Sequence, residues 1–266
     1  MLGAAGCGEN LVSYRPIDNV NDLEGRRVGV ALAWAPDYIL GDRDGKDLQL
    51  FRYDTNADML MALCYKQIDA MALDATTWEM VNYMQPGLRK CDEPLSSVGY
   101  IYYLPGTAVD LKKQINEYID ECSRNGELDK LDKRLADFHG GDYEWPKGLE
   151  PTGTGKTLKV AYVIEDYPYS YITPDGKAAG IELEFVVAFA NKYNYRLELI
   201  GSSLEDVYMG AAKGKYDICV GAIADVYAKE AESLGLGTTD VYLNEDIYLI
   251  EVDDPSKLTQ GADLGM

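Results

Sequence analysis

Histidine is almost missing: the 266 residues hold one, His139, followed by two glycines. Imidazole is the commonest general base and a preferred zinc ligand, so the chain lacks the material for a His-based catalytic or zinc centre. Basic side chains are also scarce, 25 Lys and Arg against 45 Asp and Glu, for a formal charge of −20. A groove that follows a phosphate backbone needs clustered Lys and Arg; no such cluster occurs, which argues against nucleic acid as a partner. No apolar run reaches the ~18 residues of a transmembrane helix. Beyond Cys7 the cysteines are Cys64, Cys91, Cys122 and Cys219, at spacings that match no metal motif. Cys64 and Cys122 fall in helical patterns and Cys219 ends an apolar strand, so buried thiols are the expectation, although an exported protein could oxidise a pair. No motif calls for a cofactor or a metal.

What is present is enough apolar material, 47% of residues, to build one large domain or two lobes of ordinary size. The aromatic content is skewed to 21 Tyr against 4 Phe and 3 Trp. Tyrosine offers an apolar face and a polar tip, which suits both half-exposed clefts and edge strands. An anionic surface favours solubility and steers cations.

Two β-α-β-α-β patterns run along the chain. In the first, strands are expected at 26–32, 48–53 and 68–73, and the helix after Thr55 would carry Met59, Leu60, Leu63 and Cys64 on one face. Asp74 can cap the helix that follows. A strand at 100–104 precedes a helix over 111–123, ended by Asn125-Gly126, and a second helix over 127–138. In the second pattern, strands are expected at 158–164, 196–200, 216–220 and 247–252, with helices at 181–193 and 204–212. Strands alternating with helices imply parallel sheets. Residues 140–156, rich in Gly, Pro and Thr without a period, read as a linker. Its end, Thr152 to Thr157, looks like a phosphate loop, but Glu150 stands where that motif needs Gly and the segment precedes a strand instead of following one.

The second stretch resembles lobe one of the bacterial extracellular solute-binding proteins, family 3, with the type II periplasmic binding fold. The resemblance rests on the strand at 158–162, the aromatic run Asp166-Tyr167-Pro168-Tyr169-Ser170-Tyr171, Gly180-Ile181-Glu182-Leu183-Glu184 and Gly214-Lys215-Tyr216-Asp217-Ile218. The first stretch resembles lobe two and the closing helices, through Asp22 to Val30, Ile68-Asp69-Ala70 leading to Asp74, and Asn125 to Lys130. The halves stand in reversed order. The resemblance therefore implies an α/β, two-lobed fold, each lobe a mainly parallel sheet flanked by helices, in permuted order. Residues 20–104 form lobe two, 105–139 the closing helices of lobe one, 140–156 the linker, 157–252 lobe one and 253–266 a tail, with strands near 99–104 and 246–252 crossing between lobes. A middle slice of two tandem domains would show the same order. Residues 1–19 read as a lipoprotein-like tail in which small residues precede Cys7, the lipidation site of such signals.

In the family the ligand lies between the lobes, at the C-terminal ends of the parallel strands, where helix N-termini present N–H groups. The resemblance places five patches there. Tyr167, Tyr169 and Tyr171 match the segment whose ring stacks on ligand. Ala222, in the turn 221–224, matches the backbone that meets a ligand carboxylate, and Ala224 stands where a hydroxyl is usual. Lys229 falls near the carboxylate-binding Arg of the family, or is a solvated helix residue. Trp34 stacks on the ligand or fills a core gap. Asp74 matches the acceptor of a ligand ammonium, a role compatible with capping. The expected function is a lipid-anchored extracytoplasmic binding protein, without covalent chemistry, that passes a small polar, amino-acid-like or cationic ligand to an ABC permease. The alternatives are a degenerate module acting as sensor or scaffold, and a cell-wall or small-acid lyase on the same fold.

Overall fold

The computed structural model describes residues 15–138 and 144–258. Cys7, His139 and the outer parts of both expected tails lie outside the described residues. Between 144 and 156 no helix or strand forms.

The first sheet starts with β1 (Arg27–Ala31), α1 (Ala35–Gly41), β2 (Gln49–Tyr53), α2 (Asn56–Cys64), β3 (Ala70–Asp74), α3 (Ala75–Met84), β4 (Leu88–Lys90) and β5 (Ser96–Tyr100). Alternating apolar residues bury Val28 and Val30 on one side of β1. Gly29 faces α2 so closely that a Cβ would come within 2.6 Å of the Ile68 side chain and 3.0 Å of Met59. Thr55 caps α2 by accepting from Asp58 N, and Asp74 caps α3 by accepting from Thr77 N. The chain then enters a second sheet at β6 (Tyr103–Pro105), followed by α4 (Val109–Asn125) and α5 (Glu127–Ala136). Helix α4 buries Ile115, Tyr118, Ile119 and Cys122, a one-sided stripe, and ends where Gly126 turns left-handed at φ 78°.

The second half supplies β7 (Thr157–Val163), a small hairpin sheet of β8 (Glu165–Asp166), β9 (Ser170–Ile172) and β10 (Ala178–Ala179), then α6 (Ile181–Lys192), β11 (Arg196–Ser202), α7 (Leu204–Ala212), β12 (Ile218–Val220), α8 (Ala228–Ser233), β13 (Leu236–Thr238) and β14 (Leu243–Val252). The sheets run β2-β1-β3-β14-β4, with β5 also on β14, and β11-β7-β12-β6-β13. Each thus contains strands from both halves of the chain. Helix α4 of the first half packs on α6 of the second, with the Tyr118 ring 5.0 Å from Phe185 and 5.6 Å from Phe189.

Three expectations need correction. The sheets are mixed, not mainly parallel: β2-β1-β3 and β11-β7-β12 are parallel, whereas β14 and β6 pair antiparallel with all their neighbours. A strand arriving from the other lobe has no crossover helix of its own and inserts in the opposite sense. Residues 157–252 are not one lobe, because β14 lies wholly in the first sheet, paired antiparallel with β3; the crossing is at 239–242. The expected strand at 100–104 is two strands, β5 and β6, in different sheets, so lobe two ends before 104. The main core includes Val28, Val30, Tyr100 and Leu249 from one sheet, Val160 and Ile218 from the other and Phe185 and Phe189 from α6, joined by Tyr102 and Tyr242.

Candidate functional site

Between the sheets lies a cleft of about 1480 Å³. One wall is formed by Ala33 and Trp34 after β1 and by the first turns of α1, α2 and α3; the other by 164–167, 171–175, the first turns of α7 and the turn 221–224. Tyr100 and Ile247, beside the two crossings, complete it. This is the carboxyl end of the parallel strands, where loops leave a gap and helix N-termini converge.

Trp34, Asp74, Tyr167, Tyr171 and Ala222 all line this cleft. Trp34 also packs against the main core, the structural one of its two expected roles. The Tyr167 and Tyr171 rings meet edge to face at 4.7 Å. Tyr169 does not line the cleft. Apolar neighbours on both sides draw it to 2% exposure, and its ring lies edge-on to Tyr100 at 5.3 Å. Lys229 does not line it either: α8 turns its buried residue, Ala231, to the core and leaves Lys229 exposed. The expected cationic clamp is therefore not placed at the cleft.

Two alanines of the cleft wall, Ala33 at φ 63° and Ala222 at φ 41°, hold left-handed backbone, which non-glycine residues adopt at a cost. Before Ala222, Gly221 has φ 151°, and a Cβ there would stand 2.4 Å from Val163 Cγ2. The turn so formed presents N–H groups inward, and Glu182 takes them from behind the cleft: Ala222 N donates to both its carboxylate oxygens at 3.1 Å. Gly221 N and the Tyr242 hydroxyl also donate to Glu182. Glu182 has no solvent exposure, and burial raises its pKa to about 7 against the lowering by these hydrogen bonds.

A second carboxyl group lies under the cleft floor. Asp74 accepts from Thr77 N and Oγ1, both at 2.8 Å. Glu245 accepts from Thr76 Oγ1 at 2.5 Å. The Tyr169 hydroxyl stands 3.0 Å from Glu245 and 3.3 Å from Asp74. Burial and then the Asp74 charge push Glu245 up to about 8; burial likewise raises Asp74. A phenol has one proton to give, so Asp74 and Glu245 compete for it and titrate as a pair. On the opposite wall, Asp166 is 5% exposed, and its Oδ2 accepts no hydrogen bond among the described residues. Burial, then the charges of Glu182 and Asp74, hold its pKa well above the usual carboxylate range.

The sequence reading missed Glu182, Asp166 and Glu245. For Glu245 a signal existed: period-2 parity puts it on the face of Leu243, Ile247 and Leu249. Glu182 stands in the first turn of a helix, where acids are ordinary, and Asp166 in the two-residue strand β8, too short to show a parity, so neither had one.

The comparisons match this geometry. Residues 158–251 match the family model of the bacterial extracellular solute-binding proteins, family 3. With its two α/β lobes about a cleft, the chain has a type II periplasmic-binding-like fold, and the match gives it a ligand-binding role. No curated protein matches the chain. Similar solved structures include the periplasmic VFT2 domain of Bordetella pertussis BvgS (14% identity, 87% of this chain and 82% of that one, TM-score 0.40). Others are the ligand-binding component of an ABC-type import system from Staphylococcus aureus (11%, 91% and 70%, 0.44) and the GluR0 ligand-binding core in complex with L-glutamate (12%, 90% and 86%, 0.39).

Proposed function

We propose that the protein captures a small polar solute, amino-acid-like or cationic, between its lobes and hands it to an ABC importer outside the cytoplasm, tethered by a lipid on Cys7. The observation that carries this reading is the cleft itself: residues beside both sheets line it, and among the described residues two short crossings, at 101–102 and 239–242, link the sheets through the backbone. Such a pair of crossings is a hinge, and a ligand touching both walls stabilises the closed state by the contacts it gains there. Binding of this kind requires no covalent step. A thermal-shift screen over amino acids, amines and short peptides, followed by small-angle scattering of the complex, tests it. A ligand that raises the melting temperature and contracts the molecule is expected; stabilisation without contraction would refute hinge closure.

We further propose that the chain is a circular permutation of the family order. In support, strands of each half lie inside the sheet of the other, and the segments near 17 and 253 meet at β4. There Arg89 donates to Ile17 O at 3.3 Å, and Gly87 O accepts from Asp253 N at 3.0 Å. A sensor or scaffold role keeps one observation in its favour, the position of Lys229 away from the cleft, which removes the expected carboxylate clamp.

A further inference from the structure

Helix α3 lines the cleft along its whole length. Asp74, which caps it, and Thr77, Met80, Tyr83 and Met84 all belong to the cleft wall, at the three- and four-residue spacing of one helix face. At a rise of ~1.5 Å per residue, 74 to 84 spans about 15 Å, roughly four residues of extended chain. A single amino acid leaves most of that length uncovered. From the other lobe, the hairpin of β8 and β9 lines the cleft with Tyr167, Tyr171 and Ile172, and its Tyr169 hydroxyl reaches Asp74 at the start of α3. The space is not left by parted lobes. Tyr227 on Ala33 O, and Tyr169 on Asp74 and Glu245, already bridge them. About 1480 Å³ still lies between, above the roughly 300–1,000 Å³ of pockets that enclose a drug-sized ligand.

The cleft also leaves large apolar side chains uncovered on both lobes: Tyr83 is 81% exposed and Ile172 43%. One exposed apolar side chain is ordinary, but two that line one cleft from opposite lobes, with Met80 and Met84 on the same helix face, make a surface suited to being covered. Methionine adapts to partners of varied shape. The polar groups decide what kind of elongated molecule fits. Thr55, Asn56 and Thr173 line the same cleft, and a plain hydrocarbon laid over them would strip their water and replace nothing. A peptide brings an N–H and a C=O at every residue. Its ammonium end is the complement of Asp74. Its side chains must carry no negative charge, because the charged residues of the cleft wall are acidic, Asp54, Glu165 and Asp175 among them, with no Lys or Arg among the described lining residues.

We infer that the cleft takes a short apolar peptide of about two to four residues, its amino end at Asp74 and its side chains between α3 and the β8–β9 hairpin. The inference rests on the solute-binding reading and narrows the ligand from a single amino acid to a peptide.

A length series tests it: L-leucine, dileucine, trileucine, N-acetylated trileucine and octylamine, an amine of similar length without peptide groups, each titrated calorimetrically into the full chain. Affinity should climb with length, and trileucine should bind at least about tenfold tighter than leucine, since each added side chain buries more apolar surface. Octylamine and the acetylated peptide should each bind about tenfold or more weaker than trileucine, the first for want of peptide groups and the second for want of an ammonium. Tyr83→Ser and Ile172→Ser, at exposed positions on which the fold does not rest, should each weaken trileucine about fivefold and shrink its advantage over leucine. Leucine, octylamine or the acetylated peptide binding as tightly as trileucine, or trileucine affinity unchanged in both serine variants, overturns the inference while leaving solute binding intact. Binding confined to solutes outside the series does the same. If no compound in the series or in the wider screen binds, both the inference and the solute-binding reading fall.

Discussion

The hydroxyl of Tyr227 donates a hydrogen bond to the backbone carbonyl of Ala33 at 3.0 Å, joining the turn that follows β12 to the loop that follows β1. The two residues belong to opposite walls of the cleft. The Tyr227 ring also meets Tyr38 edge to face at 5.1 Å. The contact joins the two walls of the cleft without belonging to either sheet, so it acts on the open–closed balance more than on the fold. Tyr227→Phe keeps the ring and removes the bond, worth about 0.5–1.5 kcal/mol. Ligand dissociation should quicken up to about tenfold in stopped-flow measurements, with the melting temperature of the free protein unchanged; an equal loss in both would make the contact merely structural.

Asp74 both caps α3 and lines the cleft, and two substitutions separate the roles. Asparagine caps as well as aspartate, so Asp74→Asn should keep thermal stability yet weaken a cationic ligand by about 1.5–3 kcal/mol, the value of a charge-assisted hydrogen bond. Asp74→Ala should lose that affinity and also about 1 kcal/mol of stability. Unchanged affinity in the asparagine variant, measured by calorimetry, removes Asp74 from the site.

Glu182 at about 7 and Glu245 at about 8 stand above the ordinary 4.5 for glutamate. Between pH 4.5 and 8 the folded chain therefore holds more protons than the unfolded one, so stability falls as pH rises. The contribution is complete below pH 4.5 and gone above 8. Calorimetric scans of the free protein should show a higher melting temperature near pH 5 than near pH 8.5, and Glu245→Gln should flatten the slope.

Lys229→Arg should leave the affinity for every amino acid and amine unchanged, because the side chain at 229 is exposed on α8 and does not line the cleft. A selective gain for carboxylate ligands would restore the clamp that the resemblance implied.

A chain reordered so that 144–258 precedes 15–138, joined by a short flexible linker between 258 and 15, should fold and melt cooperatively, because Gly87–Arg89 hold both segments that would then be neighbours. Failure to fold with linkers of several lengths would count against the permutation.

The sequence alone determined the elements that local chemistry controls. The periodic stripe of Ile115, Tyr118, Ile119 and Cys122 gave α4, Thr55 and Asp74 gave the helix starts, Gly126 gave a helix end, and the apolar runs gave β1, β3 and β7. The resemblance to the family pointed to Trp34, Asp74, Tyr167, Tyr171 and Ala222, which all line one cleft. Tertiary structure alone decided where β14 pairs, because its alternating face fits either sheet and only the crossing at 239–242 selects one. It decided that Tyr169 sinks into the core while Tyr167 and Tyr171 line the cleft, and that Lys229 turns outward. And it brought together Asp74, Asp166, Glu182 and Glu245 from four distant segments into one low-dielectric space. Each is an unremarkable acid in the sequence; their raised pKa values arise from mutual proximity and burial, which no local pattern encodes.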